Sequence, residues 1–178
     1  MKNFKLNEKD ILSNQDWTFP TTTYYGPGRF NEIAKFCEEF DIKNPLIVTD
    51  SGSKDLPFIK KLIALLSKNN IKSDLFYNIS PNPRDDEISK GCDQFKNGSH
   101  DSIIAIGGGS AMDGGKSICL TVNSETPLWD FEFEQPVPKI TKENAFPKII
   151  TVPTTAGTGA ETEITAMVTH LEKGMKFC

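Results

Sequence analysis

Short apolar segments, and one segment of alternating apolar and polar residues, lie between segments of helical hydrophobic spacing along this chain. The pattern predicts strands at residues 45–49, 71–77, 102–106 and 148–152. It predicts the intervening helices at residues 30–40, 57–68, 85–96 and from about 110 to 120. Parallel strands need crossover connections, and helices are the usual crossovers. We therefore predict an α/β fold with a doubly wound, mostly parallel, Rossmann-like sheet.

Length and composition limit the class of protein. The 178 residues, of which 37% are hydrophobic and 25% charged, predict one globular domain spanning residues 1–178. The net charge of −4 and the scattered basic residues argue against nucleic-acid partners. No apolar run approaches the ~20 residues of a membrane span, and the N-terminus is too polar for a signal peptide. We expect no membrane association and a cytoplasmic location.

The cysteines and histidines carry no recognisable metal or nucleophile pattern. The 4 cysteines form no CxxC pair, and neither of the 2 histidines, His100 and His170, lies at a ligand-like spacing. We expect free thiols, and we assign this chain no catalytic residue and no metal ligand.

The segment 103–116 leads a predicted buried strand through three glycines directly into a predicted helix. Glycines let the backbone approach a phosphate closely, and the free amides and dipole at a helix start stabilise negative charge. Ser110 is placed to cap this helix and to donate a hydroxyl hydrogen bond. The alternative interpretation is a tight glycine turn without a ligand.

Two familiar nucleotide-binding patterns are excluded at this loop. Walker A requires four residues between its first glycine and Gly-Lys, but five residues separate Gly109 from Gly115. The dinucleotide pattern GxGxxG that starts at Gly107 requires a third glycine where this chain has Met112.

Two longer blocks resemble a known family. Residues 107–116, GGGSAMDGGK, resemble the GGGSxxDxxK signature of the iron-containing (group III) alcohol dehydrogenases. Residues 151–161, TVPTTAGTGAE, resemble that family's TxPTTAGTGSE block, with Ala160 where Ser is usual. Weaker similarities lie at residues 25–28, at 46–50 and at 81–83, where the family often continues with Thr and this chain has Arg84. The resemblance implies the N-terminal, cofactor-binding domain of such an enzyme, with the fold of the dehydroquinate synthase-like N-terminal domain.

The resemblance also implies a set of NAD(P)-binding positions. They are Asp50, Asn82, Gly107, Gly108, Gly109, Ser110, Asp113, Thr154, Thr155 and Thr158. In similar enzymes the glycines and the serine hold the pyrophosphate, and the threonines contact the cofactor through hydroxyls and amides. By analogy Asn82 lies near the adenine end, or is simply a turn residue between prolines. The resemblance places Asp113 in the cofactor site and gives Lys116 a nearby polar role.

Asp50 bears on the choice between NAD and NADP. A carboxylate at the end of a predicted strand can accept hydrogen bonds from a ribose diol and repels a 2′-phosphate. This favours NAD as the cofactor over NADP. The alternative is that Asp50 only forms the turn of residues 50–53.

The family resemblance further implies a helical domain after the second block, with one Asp and three His ligands for iron or zinc. We expect that metal only in a full-length enzyme. The segment 172–178 resembles a hairpin turn without its return strand, which suggests a fragment. We expect the isolated chain to lack the implied activity, hydride transfer between a small alcohol or aldehyde and the cofactor.

Alternatives are a glycerol dehydrogenase or dehydroquinate synthase-like relative, and a non-catalytic dinucleotide-binding domain. Residues 21–25, a predicted strand, are available to pair across a homodimer.

Overall fold

The computed structural model describes residues 15–18, 21–139 and 146–178. The strands are β1 (Gln15–Thr18), β2 (Thr22–Tyr25), β3 (Pro45–Asp50), β4 (Asp74–Ile79), β5 (Ser102–Gly107), β6 (Lys148–Pro153), β7 (Val168–His170) and β8 (Met175–Phe177). The α-helices are α1 (Ile33–Glu39), α2 (Pro57–Lys68), α3 (Asp85–Asn97) and α4 (Gly109–Thr121). Short 3-10 turns lie at Arg29–Glu32 and Leu128–Phe131.

The central sheet has the order β4-β3-β5-β6, and all its strands are parallel. Alternate residues of its strands feed two apolar clusters. Leu46 and Ile103 belong to the cluster that includes residues of α3 and α4. Ile47 and Ile104 belong to the cluster that includes residues of α1 and α2. Helices on both faces confirm the predicted doubly wound α/β fold, because both faces of these strands are buried.

The strand order reverses between β3 and β5. From β3 the chain crosses to β4 on one side, and then to β5 and β6 on the other. A crevice opens beyond the carboxyl ends of the strands at such a reversal, and ligands of open α/β sheets bind there. Asp50 ends β3 and Gly107 ends β5, so both border this crevice.

The predicted strand at residues 71–77 is shifted in the structure to Asp74–Ile79. Helix α2 ends with Asn70 in the left-handed conformation, and the Ile71 amide donates to the Leu66 carbonyl at 3.1 Å. This is a Schellman cap, in which the apolar residue after the left-handed position packs back on the helix. Ile71 therefore closes α2 and does not begin β4.

Gly114 and Gly115 in helix α4 have a packing role. A Cβ on Gly115 would lie 2.5 Å from the Ala105 Cβ, and one on Gly114 would lie 2.7 Å from the Ile79 Cδ1. Helix α4 therefore lies against β4 and β5 at a distance that larger residues would not allow.

The two small sheets correct one expectation and refine another. β7 and β8 pair as an antiparallel hairpin, so the return strand expected to be missing is present at Met175–Phe177. Its first strand begins at Val168, because the residues before it pack along α4 and not in a ladder. β2 confirms the predicted strand near residues 21–25, and it pairs with β1 of the same chain. Pairing across a homodimer stays a prediction.

A 3-10 turn lies at Leu128–Phe131, and residues 140–145 lie outside the described residues. Among the helices that the structure describes, none is long and apolar enough to span a bilayer.

Candidate functional site

The glycine loop lies at the carboxyl end of β5. Gly107 has a φ of +147°, and a Cβ there would lie 2.7 Å from the Ala111 Cβ and 3.1 Å from Asp50 Oδ2. Only glycine fits both this conformation and this space. Gly108 is the extended residue before the helix, and α4 begins at Gly109. The strand, the turn and the helix start thus leave bare backbone at the crevice.

The first turn of α4 supplies the chemistry of this loop. The amides of Gly109, Ser110 and Ala111 precede the first intrahelical bond, which runs from the Met112 amide to the Gly108 carbonyl at 3.2 Å. Together with the helix dipole they can bind an anion. The prediction that Ser110 caps the helix is wrong, because its hydroxyl donates to the Pro81 carbonyl at 2.6 Å.

The threonine block lies directly against the glycine loop. The Thr154 amide donates to the Gly107 carbonyl at 2.9 Å, which extends the pairing of β5 with β6. Thr155 Oγ1 lies 3.5 Å from the position of a Cβ on Gly108. The Thr158 Cγ2 lies 3.2 Å from the corresponding position on Gly109. The structure therefore brings together two blocks that are far apart in sequence.

Asp50 both forms its turn and borders the crevice. Its Oδ1 accepts from the Gly52 amide at 3.0 Å, and its Oδ2 accepts from the Ser53 hydroxyl at 2.7 Å. A carboxylate has about four lone-pair sites. The turn occupies two of them, so Asp50 retains acceptor capacity toward the crevice beside Gly107.

Asn82 has a partner that the sequence did not suggest. Its Oδ1 accepts a hydrogen bond from Lys176 Nζ at 3.2 Å. Lys176 comes from β8, and the hairpin is joined to the same loop by the Thr169 amide, which donates to the Pro83 carbonyl at 2.7 Å. No local signal marks Lys176, because only the tertiary pairing of the hairpin brings this cation to the site.

Asp113 and Lys116 lie further along α4 and pair with each other. Asp113 Oδ1 is 3.4 Å from Lys116 Nζ. The same ammonium donates to the carbonyl of Glu163 at 3.4 Å and to the carbonyl of Thr165. Lys116 thus holds the segment after the threonine block on the helix. A cofactor contact by Asp113 stays a prediction.

A hub that sequence reasoning missed holds the hairpin on α3. Asp85 Oδ2 accepts from the Trp129 indole N–H at 3.2 Å and from the Leu171 amide at 3.3 Å. The His170 ring stacks on Trp129 with centroids 4.6 Å apart, and its Nδ1 lies 3.6 Å from Asp85 Oδ2. This hub fixes the hairpin that carries Lys176.

The thiols and the metal-type side chains form no second site. All four cysteines are free, as expected, and burial raises the pKa of the Cys37 thiol to about 11 and that of Cys119 to about 12. Neither thiol is a nucleophile near neutral pH. Within residues 15–18, 21–139 and 146–178, no three His, Cys, Asp or Glu side chains come together as a metal cluster.

A cavity of about 880 Å³ opens beside the threonine block and extends along β6 toward β2 and α1. Thr154 and Thr155 are among its lining residues. A second cavity of about 470 Å³ is lined by Trp129, by Lys116 and by residues of β6 and β8. Both volumes are in the range of ligand pockets.

The family model for iron-containing alcohol dehydrogenases matches residues 20–178. The chain belongs to the iron-containing alcohol dehydrogenase family. The choline dehydrogenase of Bacillus subtilis is 31% identical over 174 residues, which are 97% of this chain and 43% of that protein. The 1,3-propanediol dehydrogenase of Klebsiella pneumoniae is 29% identical over 164 residues, which are 91% of this chain and 41% of that protein. The chain thus spans about two-fifths of the length of these relatives.

Solved structures of iron-containing alcohol dehydrogenase relatives agree with the fold. A 1,3-propanediol oxidoreductase superposes with a TM-score of 0.78 at 30% identity, covering 85% of this chain and 38% of that one. The sulfoacetaldehyde reductase of Bifidobacterium kashiwanohense, solved in complex with NAD+, gives a TM-score of 0.75 at 27% identity. That match covers 85% of this chain and 39% of the reductase. The resemblance in the two sequence blocks is therefore confirmed at the level of family and fold.

Proposed function

We propose that residues 1–178 are the dinucleotide-binding part of an NAD-dependent dehydrogenase of the iron-containing alcohol dehydrogenase family. The observation that carries the proposal is the bare backbone of Gly107 to Gly109, which meets a helix start at the point where the strand order reverses. A buried turn without a ligand does not need three glycines or unpaired helix amides at an open crevice.

The pyrophosphate of NAD fits at the start of α4. The amides of the first helical turn donate to the phosphate oxygens, and the positive end of the helix dipole stabilises their charge. The glycines admit the phosphates because no Cβ projects from the loop. Thr155 and Thr158 provide hydroxyls beside Gly108 and Gly109, where they can contact the bound cofactor.

Asp50 selects NAD over NADP in this proposal. Its free lone pairs accept hydrogen bonds from the ribose diol at the crevice, and its charge repels a 2′-phosphate. Asn82 and Lys176 lie at the same rim, joined by their hydrogen bond. Lys176 adds a positive charge on the side of the site that faces the hairpin.

For the whole protein we propose a small alcohol or aldehyde as substrate. Relatives named for 1,3-propanediol, butanol and methanol support this class. NAD, when bound, accepts the hydride. The iron or zinc implied by the family is proposed only for a full-length enzyme. We expect the 178-residue chain to bind NAD.

Titration with NADH and NADPH tests the proposal. We expect NADH to bind the chain, with NADPH at least about tenfold weaker, since a like charge facing a phosphate costs about 1.4 kcal/mol or more. Asp50→Asn removes the charge and keeps one acceptor oxygen for the Gly52 amide, so it should bring the two affinities together. Absence of NADH binding would refute the proposal, and equal binding of both cofactors by the native chain would refute the role of Asp50.

A further inference from the structure

Residues 80–84, named here the bridging loop, connect β4 to α3 and lie between the glycine loop and the hairpin. On one side the Pro81 carbonyl accepts the Ser110 hydroxyl at 2.6 Å. On the other side the Pro83 carbonyl accepts the Thr169 amide at 2.7 Å. The position of this loop therefore affects where α4 begins and where the hairpin lies.

A buried carboxylate lies under the bridging loop. Glu87 is only 5% exposed. Its Oε2 accepts from the Ser80 amide and from the Arg84 amide, both at 3.1 Å, and lies 3.1 Å from the Ser80 hydroxyl. One carboxylate oxygen thus binds both ends of the loop, and Arg84 Nη2 lies 3.4 Å from the other oxygen.

The backbone amides at the two ends of the bridging loop depend on this carboxylate for their hydrogen bonds. Pro81 and Pro83 have no amide N–H, so the loop has few backbone donors of its own. The amides of Ser80 and Arg84 both donate to Glu87. Without the acceptor, these amides lose their partner, which destabilises the native position of the loop.

We propose that Glu87 is a positioning residue for the dinucleotide site. It holds the bridging loop so that the Pro81 carbonyl receives the Ser110 hydroxyl, which fixes the first turn of α4 and directs its amides toward the phosphate. The inference rests on the proposed function, because the effect is on dinucleotide binding.

An ordinary helix cap does not account for the whole contact set. A capping side chain in the first turn needs only the Arg84 amide, which is the N-cap donor of α3. The Ser80 amide and hydroxyl lie outside the helix, at the end of β4. A cap alone predicts lost stability with unchanged cofactor affinity, whereas the positioning role predicts a loss of both.

Asp101 provides a matched control at the other end of the sheet. Its Oδ2 accepts from the amides of Lys43 and Asn44 at 2.8 and 3.0 Å, and its Oδ1 accepts from the Ser102 hydroxyl at 2.7 Å. Asp101 thus accepts from two backbone amides, as Glu87 does, but it is exposed, precedes β5 and lies away from the crevice.

The experiment measures thermal stability and the Kd for NADH of Glu87→Ala and Asp101→Ala in the full chain, because alanine removes the acceptor oxygens in both variants. We expect both variants to lose stability, and only Glu87→Ala to raise the Kd, by about fivefold or more, which corresponds to one lost hydrogen bond. Asp101→Ala should stay within about twofold of the native Kd, because distant sites act independently. In a Ser110→Ala background the effect of Glu87→Ala on the Kd should disappear, because the Pro81 carbonyl then has no hydroxyl from which to accept.

The possible outcomes separate the inference from the proposed function. A Kd unchanged by Glu87→Ala, or an equal rise in the Ser110→Ala background, overturns the positioning role and leaves the proposed function standing. A native chain that does not bind NADH overturns both. If Glu87→Ala does not fold, Ser110→Ala alone removes the hydrogen bond to the Pro81 carbonyl, and an unchanged Kd in that variant overturns the inference.

Discussion

Replacing Gly107 by alanine tests the link between the fold and the candidate site. The residue has a φ of +147°, which side chains rarely adopt. Its new Cβ would lie 2.7 Å from the Ala111 Cβ and 3.1 Å from Asp50 Oδ2. Ala111 is fully buried in the first turn of α4, so it cannot rotate away. Relief of the overlap therefore requires the helix start to move from the end of β5.

The expected destabilisation follows from these two effects. A non-glycine residue in a sparsely populated backbone region costs about 1–3 kcal/mol. Overpacking against a buried neighbour costs about 1–3 kcal/mol more. We expect Gly107→Ala to lower the free energy of unfolding by about 2–6 kcal/mol, which for a domain of this size lowers the Tm by about 5–20 °C.

Thermal and urea unfolding monitored by circular dichroism measure this change, with Gly174→Ala as the matched control. Gly174 also has a positive φ, of +61°, but nothing lies within 4 Å of a Cβ placed there. The control should lose only the conformational cost of about 1 kcal/mol. If Gly107→Ala destabilises the chain no more than Gly174→Ala does, the close packing at the glycine loop is refuted. NADH binding should weaken in Gly107→Ala and not in the control.

Three further variants probe other parts of the molecule. Burial raises the pKa of Cys119 from 9.0 to about 12, so the unfolded chain releases this proton first and the free energy of unfolding falls from pH 9 toward pH 12. In urea unfolding, Cys119→Ala should lose about 4 kcal/mol less of this free energy over that range than the native chain does. An equal loss in the two proteins would contradict this. Asp85→Ala removes the acceptor of the Trp129 indole, so the near-UV circular dichroism should weaken and the Tm should fall with a loss of about 1–3 kcal/mol; an unchanged spectrum would argue against the hub. Lys116→Met frees two carbonyl oxygens of residues 163–165, and limited proteolysis should then cut this segment faster than in the native chain, with equal rates as the contrary result.

Much of the fold was predictable because its signals are local. The apolar runs at β3 and β5 are buried on both faces, and the run at β6 forms a strand of the same sheet. Helices α2 and α3 begin at the predicted residues. The start of β4 was not predictable, because the apolar side chain of Ile71 belongs to the cap of helix α2 and not to a strand. Strand β8 was missed because a segment of three residues is too short to carry a periodic signal.

The candidate site divides in the same way. The glycine loop and the threonine block were recognisable in the sequence, and their contact follows from adjacent parallel strands. The roles of Ser110 and Lys176 depend on segments that the chain brings in from elsewhere, namely Pro81 and Asn82. The cofactor contacts, the cytoplasmic location and the homodimer stay predictions.

Elements whose cause lies within a few residues could be predicted from the sequence: apolar strands, amphipathic helices, and a glycine turn at a helix start. The family could be predicted too, because the two blocks are long and specific in their residues. Which side chains meet depends on how the chain packs in three dimensions. Ser110 at Pro81 and Lys176 at Asn82 are contacts between segments that lie far apart in the chain. Such contacts depend on strand order and on packing distance, and no local pattern of residues encodes either.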